Sequence, residues 1–329
     1  MAYKVDQLKQ VHIQKIKDYF YHVRQSNKNQ LSEYTGISKT TCTTILKELI
    51  QERFLVQADN NDSTGGRPSK QYQLNRNYSH SCLVYLKNKE QVEIEIQVKN
   101  LYAEDLVYEK QIFPKFSVNY LYEMLDGIFA NDSKITVIAI SIPGVVSQEN
   151  CIISCDIKEL EEQNLEMLLR IRYNVHIVIE NDVNLAVVGY HSYEESLAFV
   201  FQPRLMYSGC GIMLNHQLYR GATLFAGEVG WLSDCVGVKA KDAKTAWRIL
   251  IYQLNALICI INPQKIIIYS SYLYKAKDIL LELEKHIPKC HLPEIYFAKG
   301  MESYVFKGMM EASIDIQRNH LTVEEIRKV

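Results

Sequence analysis

Residues Asn29 to Thr44 read NQLSEYTGISKTTCTT, and the run Ile45 to Glu52 continues them. Leu31 and Tyr34 begin an apolar face. Thr35, Gly36, Ile37 and Ser38 suit a tight corner, after which Cys42, Ile45, Leu46, Leu49 and Ile50 recur at the spacing of an amphipathic helix. Gly36 gives the corner its backbone freedom, and Ser38 can accept a hydrogen bond from an unpaired N–H of the next helix. Two short helices joined this way form a helix-turn-helix. With the apolar side buried, Ser38, Lys39, Thr40, Thr41, Thr43, Thr44 and Lys47 face outward, and no acid lies between Glu33 and Glu48. Such a face suits phosphate oxygens and base edges. A solvated helical hairpin would share the same pattern, so the flanks must decide.

Upstream, Ile13, Ile16, Phe20 and Val23 recur at helical spacing within residues 5–25, a first helix able to cover the other two. Downstream, residues 53–57 predict a short strand and residues 71–75 its hairpin partner. Between them Ala58 to Lys70 reads ADNNDSTGGRPSK, in which Gly65-Gly66 and Arg67-Pro68 make a basic tip without an acid after Asp62. Three helices and such a hairpin predict a winged helix-turn-helix over residues 1–78, with Arg67 and Lys70 on the wing; a flexible linker is the alternative. The charge balance fits the wing. Residues 1–80 hold 12 Lys and Arg against 7 Asp and Glu, while residues 81–329 hold 25 against 31, although the whole chain is only −1. A basic module on a mildly acidic body is the pattern of a nucleic-acid reader with a separate sensing domain.

The chain has 329 residues, 47% hydrophobic and 23% charged, which predicts a globular protein of two or three domains. Its eight cysteines are scattered, with no CxxC pair and no histidine at metal-ligand spacing, and predict free, mostly buried thiols of a reducing cytoplasm. The start, MAYKVDQLKQ, lacks a signal-peptide apolar core, and the apolar run Ile249 to Ile261 is interrupted by Gln253 and Asn255 and too short to span a bilayer. A cytoplasmic protein without membrane partners is expected.

From Ser81 onward strands prevail. Residues 82–86 and 92–98 predict a hairpin whose second strand, VEIEIQV, alternates as a half-buried strand should. Residues 117–130, 161–172, 245–261 and 276–286 predict helices. Residues 134–143 and 175–181 predict buried strands, 197–218 a strand-rich region, and 265–270 and 293–298 further strands. This order implies an α/β body with a mixed sheet, and no repeat of fixed short period is visible.

At this point the chain resembles the ROK family (repressors, open reading frames, kinases), in particular its repressor branch of xylose-type repressors. The resemblance rests on STGGRPSK at Ser63–Lys70, SIPGVV at Ser141–Val146, ENDVN at Glu180–Asn184 and LYRGATLFAGEVG at Leu218–Gly230, in that order. It implies a two-lobed, actin-like, ribonuclease-H-like body over residues 79–329, with one lobe at about 79–184 plus the C-terminal end and the other at 185–305. By the same resemblance, Asp182 matches the family's catalytic base, and Asn181 and Glu228 match positions that contact sugar hydroxyls. Trp231 could stack on a sugar face or plug the pocket. An Asn-Asp pair after a strand is also an ordinary turn and helix cap.

The kinase features that the resemblance calls for are altered. Tyr85, Lys87, Asn88 and Lys89 fall over the phosphate hairpin, where glycines normally let backbone N–H groups approach oxygen anions. Only Gly209 and Gly211 match the second phosphate loop, with Leu205 and Tyr207 in earlier glycine places and expected to fill the nucleotide space. Tyr269-Ser270 replaces the adenosine-side glycine pair. Trp231 stands where a zinc-binding histidine is usual, and only Cys235 follows nearby; indole has no lone pair for a metal. The expectation is therefore a dimeric DNA-binding regulator, a repressor of carbohydrate genes. It would have no catalytic residue, metal or cofactor, would meet a palindromic duplex operator, and would sense a sugar or sugar phosphate. Two alternatives stand beside it: a body that serves only dimerisation or docking, and an ATP-dependent sugar kinase.

Overall fold

The computed structural model describes residues 2–58, 70–147, 149, 151–190 and 194–319. The first elements are α1 (Ala2–Val23), β1 (Gln25–Asn27), α2 (Lys28–Thr35), α3 (Lys39–Gln51), β2 (Leu55–Ala58) and β3 (Gln71–Leu74). The corner between α2 and α3 has Gly36 at φ 71°, and Ser38 Oγ accepts from Thr41 N at 3.2 Å. Leu31, Cys42, Ile45, Leu46 and Leu49 pack against Ile13, Ile16 and Phe20 of α1. Tyr34 departs from the expected apolar face and is 68% exposed. In so short a helix the inward stripe runs from Leu31 to the residue four on, so Thr35 takes the buried place, its Oγ1 donating to Leu31 O at 2.6 Å. On α1 the C-terminal Val23 is likewise exposed.

The sheet edging these helices runs β1-β3-β2, all antiparallel. Three-residue β1 is too short for periodicity to reveal. Residues 59–69, which hold the expected wing tip and Arg67, lie outside the described residues. Lys70 is exposed just before β3.

The body begins with β4 (His80–Asn88), β5 (Val92–Asn100) and β6 (Asp105–Phe113), an antiparallel meander, then α4 (Val118–Asn131) and β7 (Ile135–Ile142). A small hairpin of β8 (Gly144–Val146) and β9 (Ile152–Cys155) follows, then α5 (Leu165–Tyr173), β10 (His176–Asn181) and α6 (Asp182–Tyr190). The first large sheet is ordered β10-β7-β4-β5-β6, with β7 parallel to both β4 and β10. A second set repeats the plan with β11 (Ser196–Gln202), β12 (Gly209–Leu214) and β13 (Gln217–Leu218). Then come α7 (Ala243–Ile260), β14 (Lys265–Ser270), α8 (Ala276–Leu283), β15 (Glu294–Phe297) and α9 (Glu302–Asn319). Its order, β13-β12-β11-β14-β15, is the same three antiparallel strands followed by two parallel ones. The duplication lies in topology, over units of more than a hundred residues, which no short-period comparison of the sequence would register.

Each sheet has an outer helical layer: α4 and α5 cover the first, α7 and α8 the second. Between the sheets lie α6 and α9, the equivalent last helices of the two units, packed on each other and on residues of both sheets such as Leu83 and Phe199. They approach so closely that a methyl group at Gly189 would strike Tyr304 O, and one at Gly308 would strike Leu185 O.

Three expectations change at this level. The alternating strand β5 is buried on both faces, Glu93 and Glu95 included, at 5% and 6% exposure. The acids are tolerated because Lys87 bridges them, as described below. β10, expected to be buried, is a half-buried edge strand. The helix expected from residue 161 begins at Leu165, capped by Asn164 Oδ1, which accepts from Met167 N at 2.9 Å.

The helix-turn-helix unit is tied to the body at two points. Leu101, in the β5–β6 turn, is buried in the core of the three-helix unit, and Tyr102 Oη donates to Leu74 O at 3.0 Å. At the far end of α9, Arg318 lies 3.7 Å from Asp18 of α1, and its carbonyl accepts from Gln14 Nε2 at 2.7 Å.

Candidate functional site

Two surfaces carry chemistry. The first is the start of α3. Ser38, Lys39, Thr40, Thr44 and Lys47 are exposed, and Thr41 and Thr43 are half-buried. Ser38 Oγ and Thr41 Oγ1 lie 2.9 Å apart, and Thr43 Oγ1 donates to Lys39 O at 2.7 Å, so part of this hydroxyl set finishes the helix itself. Glu48, the next acid along α3, is paired with Lys9 of α1 at 2.8 Å, which removes its charge from the face.

The second is a cleft of about 390 Å3 between the sheet units. One wall is the β8–β9 hairpin with Gly144, Ser154 and Asp156. The floor is the β10–α6 junction at Asn181 and Asp182, and the opposite wall comes from Tyr207, Ser208, Glu228 and Trp231. Parallel pairing of β10 with β7 places Asn181 opposite Ile142, so the chain turns into α6 at the sheet edge where β8 also leaves. Asn181 Oδ1 accepts from Val183 N and Asn184 N at 2.8 and 3.2 Å, and its Nδ2 donates to Gly144 O at 3.0 Å. Asn181 therefore shapes the cleft by capping α6 and holding the hairpin.

Asp182 is 7% exposed. Burial, joined by the nearby Asp156 and Glu228 carboxylates and opposed by backbone N–H groups, pushes its carboxyl up to about 7. Burial also raises Glu228; it raises Asp156 too, against the pull of Lys239 and Lys158. Glu228 is presented by the backbone bond from Cys210 N to Gly227 O, 2.9 Å, with Gly227 at φ 90°. Trp231 is 62% exposed at the rim, 6.1 Å from Phe225. The structure thus brings together all four expected cleft residues and adds Asp156, Ser154 and Ser208. Nothing in the sequence singles these out, because they reach the cleft only when the β8–β9 hairpin folds over it and the segment before β12 closes the other side.

Beside the cleft, Lys87 is buried among three carboxylates. It pairs with Glu93, with Glu95 Oε2 at 2.6 Å and with Glu302 Oε1 at 2.9 Å, and lies 4.9 Å from the Tyr85 ring centre. These are the only three acids among the described residues grouped closely enough to hold a metal ion, and the ammonium stands among them. Tyr269 stacks on Phe201 with ring centres 5.8 Å apart. Tyr207 lines the cleft. Leu205 does not reach it: it sits at φ 62° and is 54% exposed. Cys235 is buried, its Sγ 3.8 Å from Gln253 Nε2. No helix among the described residues is long and apolar enough to cross a membrane.

Two sheets of the same order, with their last helices crossed between them and a cleft at the junction, define the actin-like, two-lobed class of body. Residues 94–234 match the ROK family. The chain is similar to the xylose repressor of Bacillus subtilis (strain 168), 22% identical over 216 residues, and to that of Staphylococcus xylosus, 26% over 228 residues. Each match covers 62% of this chain and 55% of the relative, so the chain matches about half the length of these curated relatives. Among solved structures, a ROK-family transcriptional regulator described as a homolog of the E. coli MLC protein aligns with a TM-score of 0.72 at 14% identity, covering 98% of this chain and 100% of that one. A ROK-family protein from Streptococcus pneumoniae TIGR4 in complex with sucrose aligns at 0.56 and 15% identity, covering 73% and 99%. A ROK hexokinase from Thermus thermophilus aligns at 0.55 and 16%, covering 72% and 99%. These likenesses establish the fold.

Proposed function

We propose that the protein is a sequence-specific DNA-binding regulator, a repressor of carbohydrate-related genes. Residues 1–78 act as a winged helix-turn-helix, and residues 79–329 act as a non-catalytic sensor and dimerisation body. The observation that carries this reading is the pairing of two surfaces in one framework: a polar face at the start of α3 with no acid before Glu48, and a cleft that keeps Asp182 and Glu228 while a buried Lys87 occupies the neighbouring corner. A kinase must hold a phosphoryl donor, and Lys87, whose charge is engaged by Glu93 and Glu95, is unavailable to one. Without a donor Asp182 can only bind. The similarity to xylose repressors supports the same reading.

In this reading the start of α3 enters the major groove. Ser38, Lys39, Thr40, Thr41, Thr43, Thr44 and Lys47 supply base-edge and phosphate contacts, and Arg67 and Lys70 hold the backbone from the wing. Two-fold pairing of the bodies sets two such helices on a palindromic operator. A small polyhydroxylated effector in the cleft acts on DNA binding through the ties at Leu101 and Arg318. The test is fluorescence anisotropy of the full chain on duplexes tiled across the region upstream of its own gene, against scrambled duplexes. Salt-sensitive binding with at least about a hundredfold preference for one tile is expected. Equal binding to every duplex, or none, overturns the proposal.

A further inference from the structure

Among the described residues, the cleft gathers three acids without an ion-pair partner in one cavity. Several buried or half-buried acids elsewhere are paired: Glu93 and Glu95 with Lys87, Glu180 with Arg220 at 2.7 Å, Glu194 with Lys265. Asp156, Asp182 and Glu228 share one cavity, and no cation pairs with any of them among the described residues. Lys158, the cation in the lining, is largely exposed and pairs with Glu161 Oε1 at 2.7 Å, and Lys239 sits over the Tyr207 ring at 5.0 Å; both act on Asp156 only from beyond ion-pair distance. Asp182 is more than nine-tenths buried yet open to this cavity. A buried carboxylate without a counter-charge is costly, and the cost is relieved when a ligand brings that charge. Aromatic faces in the same lining, Trp231 and Phe201, suit the carbon face of a sugar ring.

We propose that the cleft takes an amino sugar, its protonated amine set against Asp156 and Asp182 and its hydroxyls against Glu228, Ser154 and Ser208, and that it rejects phosphorylated sugars. A phosphate would add negative charge beside three carboxylates, and the nearest buried cation, Lys87, is already paired. Burial holds all three acids toward protonation, which a positive ligand reverses.

This inference rests on the cleft being an effector site, and the experiment separates the two claims. Thermal shift and calorimetry on the full chain at neutral pH would use D-glucosamine, D-galactosamine and D-mannosamine, each beside its parent hexose, its N-acetyl derivative and its 6-phosphate. The expected result is one amine bound at least about tenfold tighter than its neutral forms, with no shift from any phosphate. Asp156→Asn, its folding checked by its own melting curve, should cut that preference by at least about fivefold. A parent hexose or phosphate that binds as tightly as the amine, or a preference untouched by Asp156→Asn, overturns the amino-sugar proposal and leaves the effector cleft standing. Silence from the whole panel overturns the effector reading itself.

Discussion

Replacing Lys87 by methionine tests how the buried acids of β5 are tolerated. The substitution keeps the aliphatic stem and deletes the charge that serves Glu93, Glu95 and Glu302. Glu302 is half exposed and loses little. Glu93 keeps Lys110 at 3.0 Å and Lys89 at 3.6 Å. Glu95 has no other cation among the described residues, so one charge is left uncompensated. Breaking a buried pair from one side costs about 3–5 kcal/mol, and the surviving lysines place this case at about 3. Burial alone would raise the Glu93 carboxyl, but the bonds from Lys87 and Lys110 outweigh it and hold it at about 2. A carboxylate lowered in the folded state stabilises above its unfolded pKa, so this share is complete above about pH 4.5 and is lost as pH falls toward 2. Burial would lower Lys87, but the hydrogen bonds it donates to the glutamates outweigh that and raise it, so its share holds until the pH passes its ordinary 10.5. In the variant the orphaned carboxylate can protonate instead. The gap to wild type should therefore be widest near neutrality and narrow toward about pH 4. Urea unfolding should show a midpoint about 1 M lower at neutral pH, with most of the loss recovered when Glu93→Gln and Glu95→Gln are added. A change under about 0.5 kcal/mol, or the same change at both pH values, would refute the reasoning.

Gly308→Ala should destabilise by about 1–3 kcal/mol or prevent folding, because the added methyl meets the Leu185 carbonyl rather than a flexible side chain; an unchanged melting temperature would contradict the crossing of α6 and α9. Asp182→Asn should stabilise the protein by about 2–4 kcal/mol above pH 7, since a carboxyl raised from 3.8 to about 7 keeps its proton folded and loses it unfolded, which lowers stability as pH rises between those values. Calorimetry at pH 4 should find that advantage gone. Thr40→Ala or Thr44→Ala should cost about 1–3 kcal/mol on the operator with non-specific binding intact, while Arg67→Ala should weaken all duplexes and lower the salt slope by about one unit; anisotropy over a salt series reads both. Purified protein with ATP and a hexose panel should release no ADP, and turnover that Asp182→Asn abolishes would restore the kinase alternative.

Much of the fold was legible locally. The spacing from Leu31 to Leu49, the Gly36 corner and the Ser38 cap depend on neighbours within one or two turns, so the residues that make them also announce them. The strands at 135–142 and 265–270 were equally plain, as continuous apolar runs. The expected cleft residues Asn181, Asp182, Glu228 and Trp231 do line one cavity, and they were found through the order of four short stretches resembling a family rather than through periodicity.

What the sequence by itself determined, then, is whatever rests on contacts between near neighbours: the helices, the long strands, and the sign of the charge on each half of the chain. Tertiary structure alone decided the two-fold repeat of the body, the burial of Glu93 and Glu95, and the place of Asp156 in the cleft. Each of these is set by partners far away in the chain. Glu93 is buried because Lys87 and Lys110 arrive from adjacent strands, α6 and α9 meet because two sheets face one another, and Asp156 joins Asp182 because a hairpin folds back over a sheet edge. An alternating strand reads as half solvated whether or not a cation waits across the ladder, since alternation records only the side chains of its own strand and not what covers them.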